Sequence, residues 1–158
     1  MNKETQYIIK SLQTTLSGQP WFGKSVYDIL RDVDETKASE KPNQNSHSLL
    51  DLLWHMNTWA EFTLAGLENR TVEQIKEIET LDWRPIDPKE HTWKKGVEQL
   101  ETTHNRIIEL LQQKPDDSFL KEIVPARQYN FRFLLNGLLQ HNIYHLGQVA
   151  YLKKMLIA

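Results

Sequence analysis

Apolar side chains recur along this chain at steps of three and four, the spacing of one buried helix face, and the alternation of a half-buried strand is almost absent. Ile8, Leu12 and Leu16 mark a first helix over Glu4 to Leu16, which Ser17-Gly18-Gln19-Pro20 ends. A short second piece runs through Val26, Tyr27, Ile29 and Leu30, with Ser25 as its N-cap. Thr36 to Asn45 is polar, carries Pro42 and reads as a surface loop. Ser48, followed three residues later by Asp51, resembles a capping box and opens a long helix to about Asn69. Thr71 to Glu79 adds a short helical segment, and Leu81 to His91, with Pro85 and Pro88, is a connector. A third long helix is predicted from about Lys89 to Gln113, with Val97, Leu100, His104, Ile107, Ile108 and Leu111 inward, and Lys114-Pro115-Asp116-Asp117 stops it. Ser118 to Arg127 fits no single element. The last long helix starts near Asn130 and runs almost to the end. Four long helices joined by moderate loops predict an all-α four-helix bundle, with residues 1–158 as one domain.

The inner stripe of the last helix carries the chemistry. Leu134, Leu138, His141, His145, Val149, Leu152 and Leu156 share one face, so two imidazoles one turn apart point at the core. Such a pair is half a metal site. His55 lies on the apolar line Leu52, His55, Trp59, Phe62 of the second long helix, where a bundle can bring it to His141 and His145. Three neutral imidazoles converging in an apolar cavity are costly unless a partner satisfies their nitrogens, and a divalent cation does so directly. His104, on the inner stripe of the third long helix, competes with His55. Bonded to a backbone carbonyl it is instead a core histidine, the reading preferred here. His47, at the mouth of a helix, belongs to a cap region, and His91 lies solvated in the connector.

Composition narrows the chemistry. The chain has no cysteine, so histidine and carboxylates are its metal ligands, and any thiol must arrive on a cofactor or substrate. A formal charge of −2 with acids and bases interspersed offers no face for nucleic acid. The polar N-terminus predicts no signal peptide, no apolar run approaches a membrane span, and the expected location is cytoplasmic. The five tryptophans read first as packing residues, although Trp21 and Phe22, between Pro20 and Gly23, could line the mouth of a pocket. Gly137 and Gly147 inside the last helix predict close approach of a neighbouring helix.

Taken together, Gly18-Gln19-Pro20-Trp21-Phe22-Gly23-Lys24-Ser25, the His47–His55 segment with Trp59, Asp82-Trp83, Trp93, and Leu135 to Gln148 resemble, in that order, the motifs of the DinB/YfiT-like superfamily of small bacterial metal-binding bundles. The resemblance implies an up-down-down-up bundle, often a homodimer, and a metal triad at His55, His141 and His145. It implies nickel or zinc as the metal, with Tyr144 and Gln148 in supporting roles and at least one position left for water or substrate. Members of the superfamily resemble metal-dependent hydrolases or transferases that use a low-molecular-weight thiol such as bacillithiol. The chain is therefore expected to be a metal-dependent enzyme acting on a small-molecule substrate, activating water or a thiol. Lys24, Arg84 and Arg127 are candidates to hold an anionic thiol cofactor. The alternative is a stress-associated metal-binding bundle without catalysis.

Overall fold

Hydroxyl and carboxylate side chains set where the helices begin. Ser25, Ser48, Thr71 and Thr92 each accept a hydrogen bond from the backbone N–H three residues on. At Ser48 the box closes, since Asp51 accepts the Ser48 N–H in return. In the computed structural model, which describes residues 2–157, these caps open α2 (Val26–Arg31), α3 (Leu49–Leu67), α4 (Val72–Glu79) and α5 (Trp93–Gln112). The chain also forms α1 (Lys3–Ser17) and α6 (Phe131–Ile157), and no strand occurs among the described residues. Helix α5 begins at Trp93 rather than near Lys89. Thr92 supplies the cap, and the preceding turn is closed by the Asp87 N–H donating to His91 Nδ1 at 2.8 Å.

Long-range contacts give the helix directions. Asp117, just after α5, accepts from the N–H groups of Glu4 and Thr5 at 3.1 and 2.9 Å, capping α1 from across the chain. Glu4 also pairs with Arg132 at the start of α6, so α1 and α6 run parallel and α5 runs against α1. Gly66 near the end of α3 faces Phe131 and Leu134 near the start of α6, so these two helices are antiparallel. Gly96 of α5 packs on Leu53 and Trp54 of α3, and Arg106 pairs with Glu68 beyond the end of α3, so α3 and α5 are parallel. The result is the up-down-down-up bundle that the motifs imply.

Helix α3 is the centre of the packing. Sixteen of its 19 residues are buried, because α4, α5 and α6 all cover it. Its sequence stripe therefore understates its burial, as expected for a helix that is apolar almost all round. The inner stripes predicted for α1, α5 and α6 fall in or against one contiguous apolar cluster that includes Leu12, Leu53, Phe62, Leu100, Ile107 and Leu135. Ser118 to Arg127, unassigned from sequence, is a 3-10 turn over Ser118–Lys121 followed by a tight loop. Val124 N–H donates to the Tyr129 carbonyl and Phe131 N–H to the Glu122 carbonyl, and Phe119, Leu120 and Val124 are buried. No described helix is long and apolar enough to cross a membrane.

Two expectations are corrected. Trp21 is fully exposed and lines none of the described cavities, so it is neither core nor pocket mouth. The close helix approach occurs at Gly96, where an added Cβ would stand 2.6 Å from Leu53 Cδ2 and 3.3 Å from Trp54 Cε2. At Gly137 and Gly147 an added Cβ meets nothing within 4 Å. Gly96→Ala is therefore expected to destabilise the protein by about 1–3 kcal/mol through overpacking. Gly147→Ala should stabilise it by about 1 kcal/mol through helix propensity. Urea denaturation of both variants checks the opposite signs.

Candidate metal centre

The antiparallel seam of α3 and α6 brings His55 to the His141/His145 pair. His55 Nε2 lies 3.0 Å from His145 Nε2 and 3.0 Å from His141 Nε2. His55 and His145 are buried and His141 is half-buried. Each of the three offers a ring nitrogen within 4.8 Å of the others, the one such group of metal-ligand type among the described residues. The sequence stripe on α6 and the apolar line on α3 thus meet where the spacing predicts.

The outer ring nitrogens have their own partners. His55 Nδ1–H donates to Asp82 Oδ1 at 2.5 Å, and His145 Nδ1–H donates to Gln148 Oε1 at 2.5 Å. A carboxylate oxygen only accepts, so the His55 proton sits on Nδ1 and the Nε2 lone pair faces the centre. The Gln148 carbonyl sets His145 the same way. His141 Nδ1 is buried without a protein partner. Burial pushes all three imidazoles below the ordinary histidine range, and His141 goes to about 3 because its histidine neighbours add their repulsion. Asp82 opposes the shift at His55.

Asp82 arrives by a long route. Helix α4 buries Ile75 and ends at Glu79, and the next turn is pinned to α3. Thr58 Oγ1 donates to the Leu81 carbonyl, while the Arg84 guanidinium donates to both Thr58 Oγ1 and that carbonyl and lies over Trp54. Trp83, held at φ 47°, stacks on His55 with centroids 3.8 Å apart and an interplanar angle of 13°. Its other face stacks on His47, also at 3.8 Å. A bulky residue at positive φ is strained, so the turn is built to put this indole over His55.

Two inward acceptors 3.0 Å apart cannot satisfy each other. A cation between them can. Tetrahedral ligand nitrogens at ordinary metal–imidazole bond lengths stand about 3.3 Å apart, close to the spacing found. The donor set, its burial and the Asp82 and Gln148 contacts therefore fit a divalent metal that prefers nitrogen ligands.

The remaining histidines separate cleanly from the triad. His104 is a core residue, but its partners are side chains as well as backbone. Nδ1 faces Tyr27 Oη and Nε2 faces Asn142 Nδ2, both at 3.0 Å, with the Leu100 carbonyl alongside. His47 sits in the cap region of α3, one residue before the Ser48 cap, and stacks on Trp83, while His91 accepts the Asp87 N–H and meets Trp54 edge-on. Tyr144 touches His145 edge-on from the exposed side. Among the basic candidates, Lys24 pairs with Asp32 and Arg127 with Glu79. Arg84 lines a cavity of mixed polarity, about 510 Å³, together with His47, Trp83 and the Lys41–Asp51 pair. Asp82-Trp83 is legible in the sequence as a motif, but the contact of Asp82 with His55 is not. An acidic residue beside an aromatic in a connector was the available signal.

Burial holds His104 at about 4 in the fold, against 6.5 in the unfolded chain. The unfolded state then binds more protons below pH 6.5, so stability falls as pH drops from about 6.5 to about 4, by on the order of 3 kcal/mol. Denaturant titrations of the metal-free protein at pH 7 and 4.5 are expected to show that loss, and His104→Gln is expected to reduce it.

Comparison with known proteins returns no match among curated proteins or solved structures. Comparison with protein families matches residues 24–149 to the DinB superfamily, a span that contains all three histidines and Asp82. The chain belongs to the DinB superfamily.

Proposed function

We propose that this protein is a divalent-metal-dependent enzyme whose nickel or zinc is held by Nε2 of His55, His141 and His145, with further coordination positions open to a small-molecule substrate. The observation that carries the reading is the inward convergence of three neutral imidazole nitrogens, two of them oriented by Asp82 and Gln148. A divalent metal supported by nitrogen ligands lowers the pKa of water or a thiol toward neutrality. The chain supplies the orientation. Asp82 fixes the His55 tautomer, Gln148 fixes His145, and Trp83 and His47 shield His55 from solvent.

Asp82 is committed to His55, so it serves orientation rather than proton abstraction from a substrate. That supports activation of a nucleophile by the metal itself, in hydrolysis or in thiol transfer. Hydrolysis is the first of these, and transfer from a low-molecular-weight thiol of the bacillithiol kind is the alternative: Arg84 in the cavity behind Trp83 would meet an anionic thiol, whereas Lys41 there already pairs with Asp51. Exposed Tyr144, Tyr151 and Met155, around Gly147 on one face of α6, support a twofold homodimer, which sedimentation would register.

Elemental analysis of the purified protein is expected to find near-stoichiometric nickel or zinc, lost in His55→Ala and in His141→Ala. Asp82→Ala should keep the fold and weaken metal affinity by about 10–100-fold in a chelator competition. A panel of thiols with electrophiles, set against esters and amides, separates transfer from hydrolysis. Turnover that survives metal removal would contradict the reading. A His55→Ala variant that loses stability but no activity would point to a non-catalytic, stress-associated bundle instead.

A further inference from the structure

One turn beyond the histidine layer, the α3–α6 seam opens into a second cavity. Because the helices are antiparallel, stepping forward along α3 from His55 to Trp59 matches stepping back along α6 from His141 to Leu138 and Gly137. These residues, with Thr63, Tyr129, Phe133 and Leu134, line an open cavity of about 150 Å³ that His141 also borders. His141 is also one of the three converging imidazoles, its Nε2 3.0 Å from His55 Nε2. The cavity therefore adjoins the candidate metal centre.

Its lining is carbon almost throughout. No acidic side chain, lysine or arginine borders it. The two hydroxyls on its wall are engaged elsewhere: Thr63 Oγ1 donates to the Trp59 carbonyl, and Tyr129 Oη accepts from Arg127. Phe133 leaves 65 % of its surface exposed at the rim, its ring tilted against Tyr129 with centroids 5.1 Å apart. Gly137 gives the cavity its room. An added Cβ there would meet nothing within 4 Å, so no neighbouring helix requires a glycine at this position, although glycine lowers helix propensity. A larger residue would project into the space.

We propose that this cavity is the subsite for an uncharged apolar group, of about the bulk of a benzene ring, on a small molecule whose polar head reaches the three imidazole nitrogens. The head rests on the metal-enzyme reading above; the apolar subsite rests on the cavity alone. Substrates of this site are then amphipathic small molecules, with a metal-seeking atom at one end and an aryl or short alkyl group at the other. Gly137 is the residue that sets how large that group can be.

Two arms keep the subsite and the metal reading apart. In the first, 4-fluorotoluene, which has no metal-binding atom, is titrated into the metal-free protein and followed by fluorine NMR. Saturable binding in the wild type, lost in Gly137→Leu and weakened in the rim variant Phe133→Ala, is expected. No binding to the wild type, or undiminished binding in Gly137→Leu with its helix content intact, overturns the subsite whatever the metal does. In the second, the cobalt-loaded protein is titrated with acetohydroxamate and phenylacetohydroxamate, read from the cobalt absorption bands. The phenyl compound should bind about tenfold tighter or more in the wild type. The ratio should fall to about one in Gly137→Leu, with acetohydroxamate affinity unchanged. Equal affinities in the wild type overturn the proposal. Failure of cobalt to bind at all counts against the metal reading, and the first arm still decides the subsite.

Discussion

Three neutral imidazoles aimed at one another in a space largely closed to water form an arrangement that hydrogen bonding within the protein cannot complete. Asp82 and Gln148 leave His55 and His145 facing each other with acceptor nitrogens, and a single N–H from His141 satisfies at most one of them. Burial disfavours protonation of all three imidazoles, most strongly at His141, where the neighbouring histidines add to it. A polar group left this way costs free energy, so the fold must hold it in place by other means. It does so with α3, a helix buried almost all round, and with the antiparallel seam it makes with α6.

The orientation of the triad is assembled from distant parts of the chain. Asp82 reaches His55 across 27 residues because α4 docks through Ile75 and the following turn is tied to Thr58 by Arg84 and the Leu81 carbonyl. The same turn forces Trp83 into left-handed backbone and lays it flat on His55. Local strain is tolerated where the surroundings over-determine it, and here the strained residue covers the candidate centre. The two sides of that centre differ. Beyond Trp83, toward His47 and Arg84, the cavity is of mixed polarity, and beyond His141 it is apolar. Only the second of these borders a triad histidine, so the carbon wall is the one that adjoins the centre.

Much of this was legible in the sequence, and for identifiable reasons. The histidines at 141 and 145 declare their direction through the apolar stripe around them, and His55 does so through Leu52 and Phe62. Caps at Ser48, Thr71 and Ser25 mark helix starts because their chemistry is local. What stayed hidden depends on tertiary contact. The cap of α1 is Asp117, more than a hundred residues away. The glycine that a neighbouring helix demands is Gly96 rather than Gly137, and nothing in either local sequence separates the two. His104 and the triad histidines look alike on a helical wheel. Only the positions of Tyr27 and Asn142 show that one is already satisfied while the others converge.

X-ray absorption at the metal edge of the purified protein tests the central claim most directly, because it reports the atoms bound rather than the presence of a metal. The account predicts three imidazole nitrogens at about 2.0–2.1 Å, with the ring-scattering pattern of histidine and at least one lighter oxygen or nitrogen ligand completing the shell. A shell of oxygens without imidazole scattering, or fewer than three histidines, would contradict it.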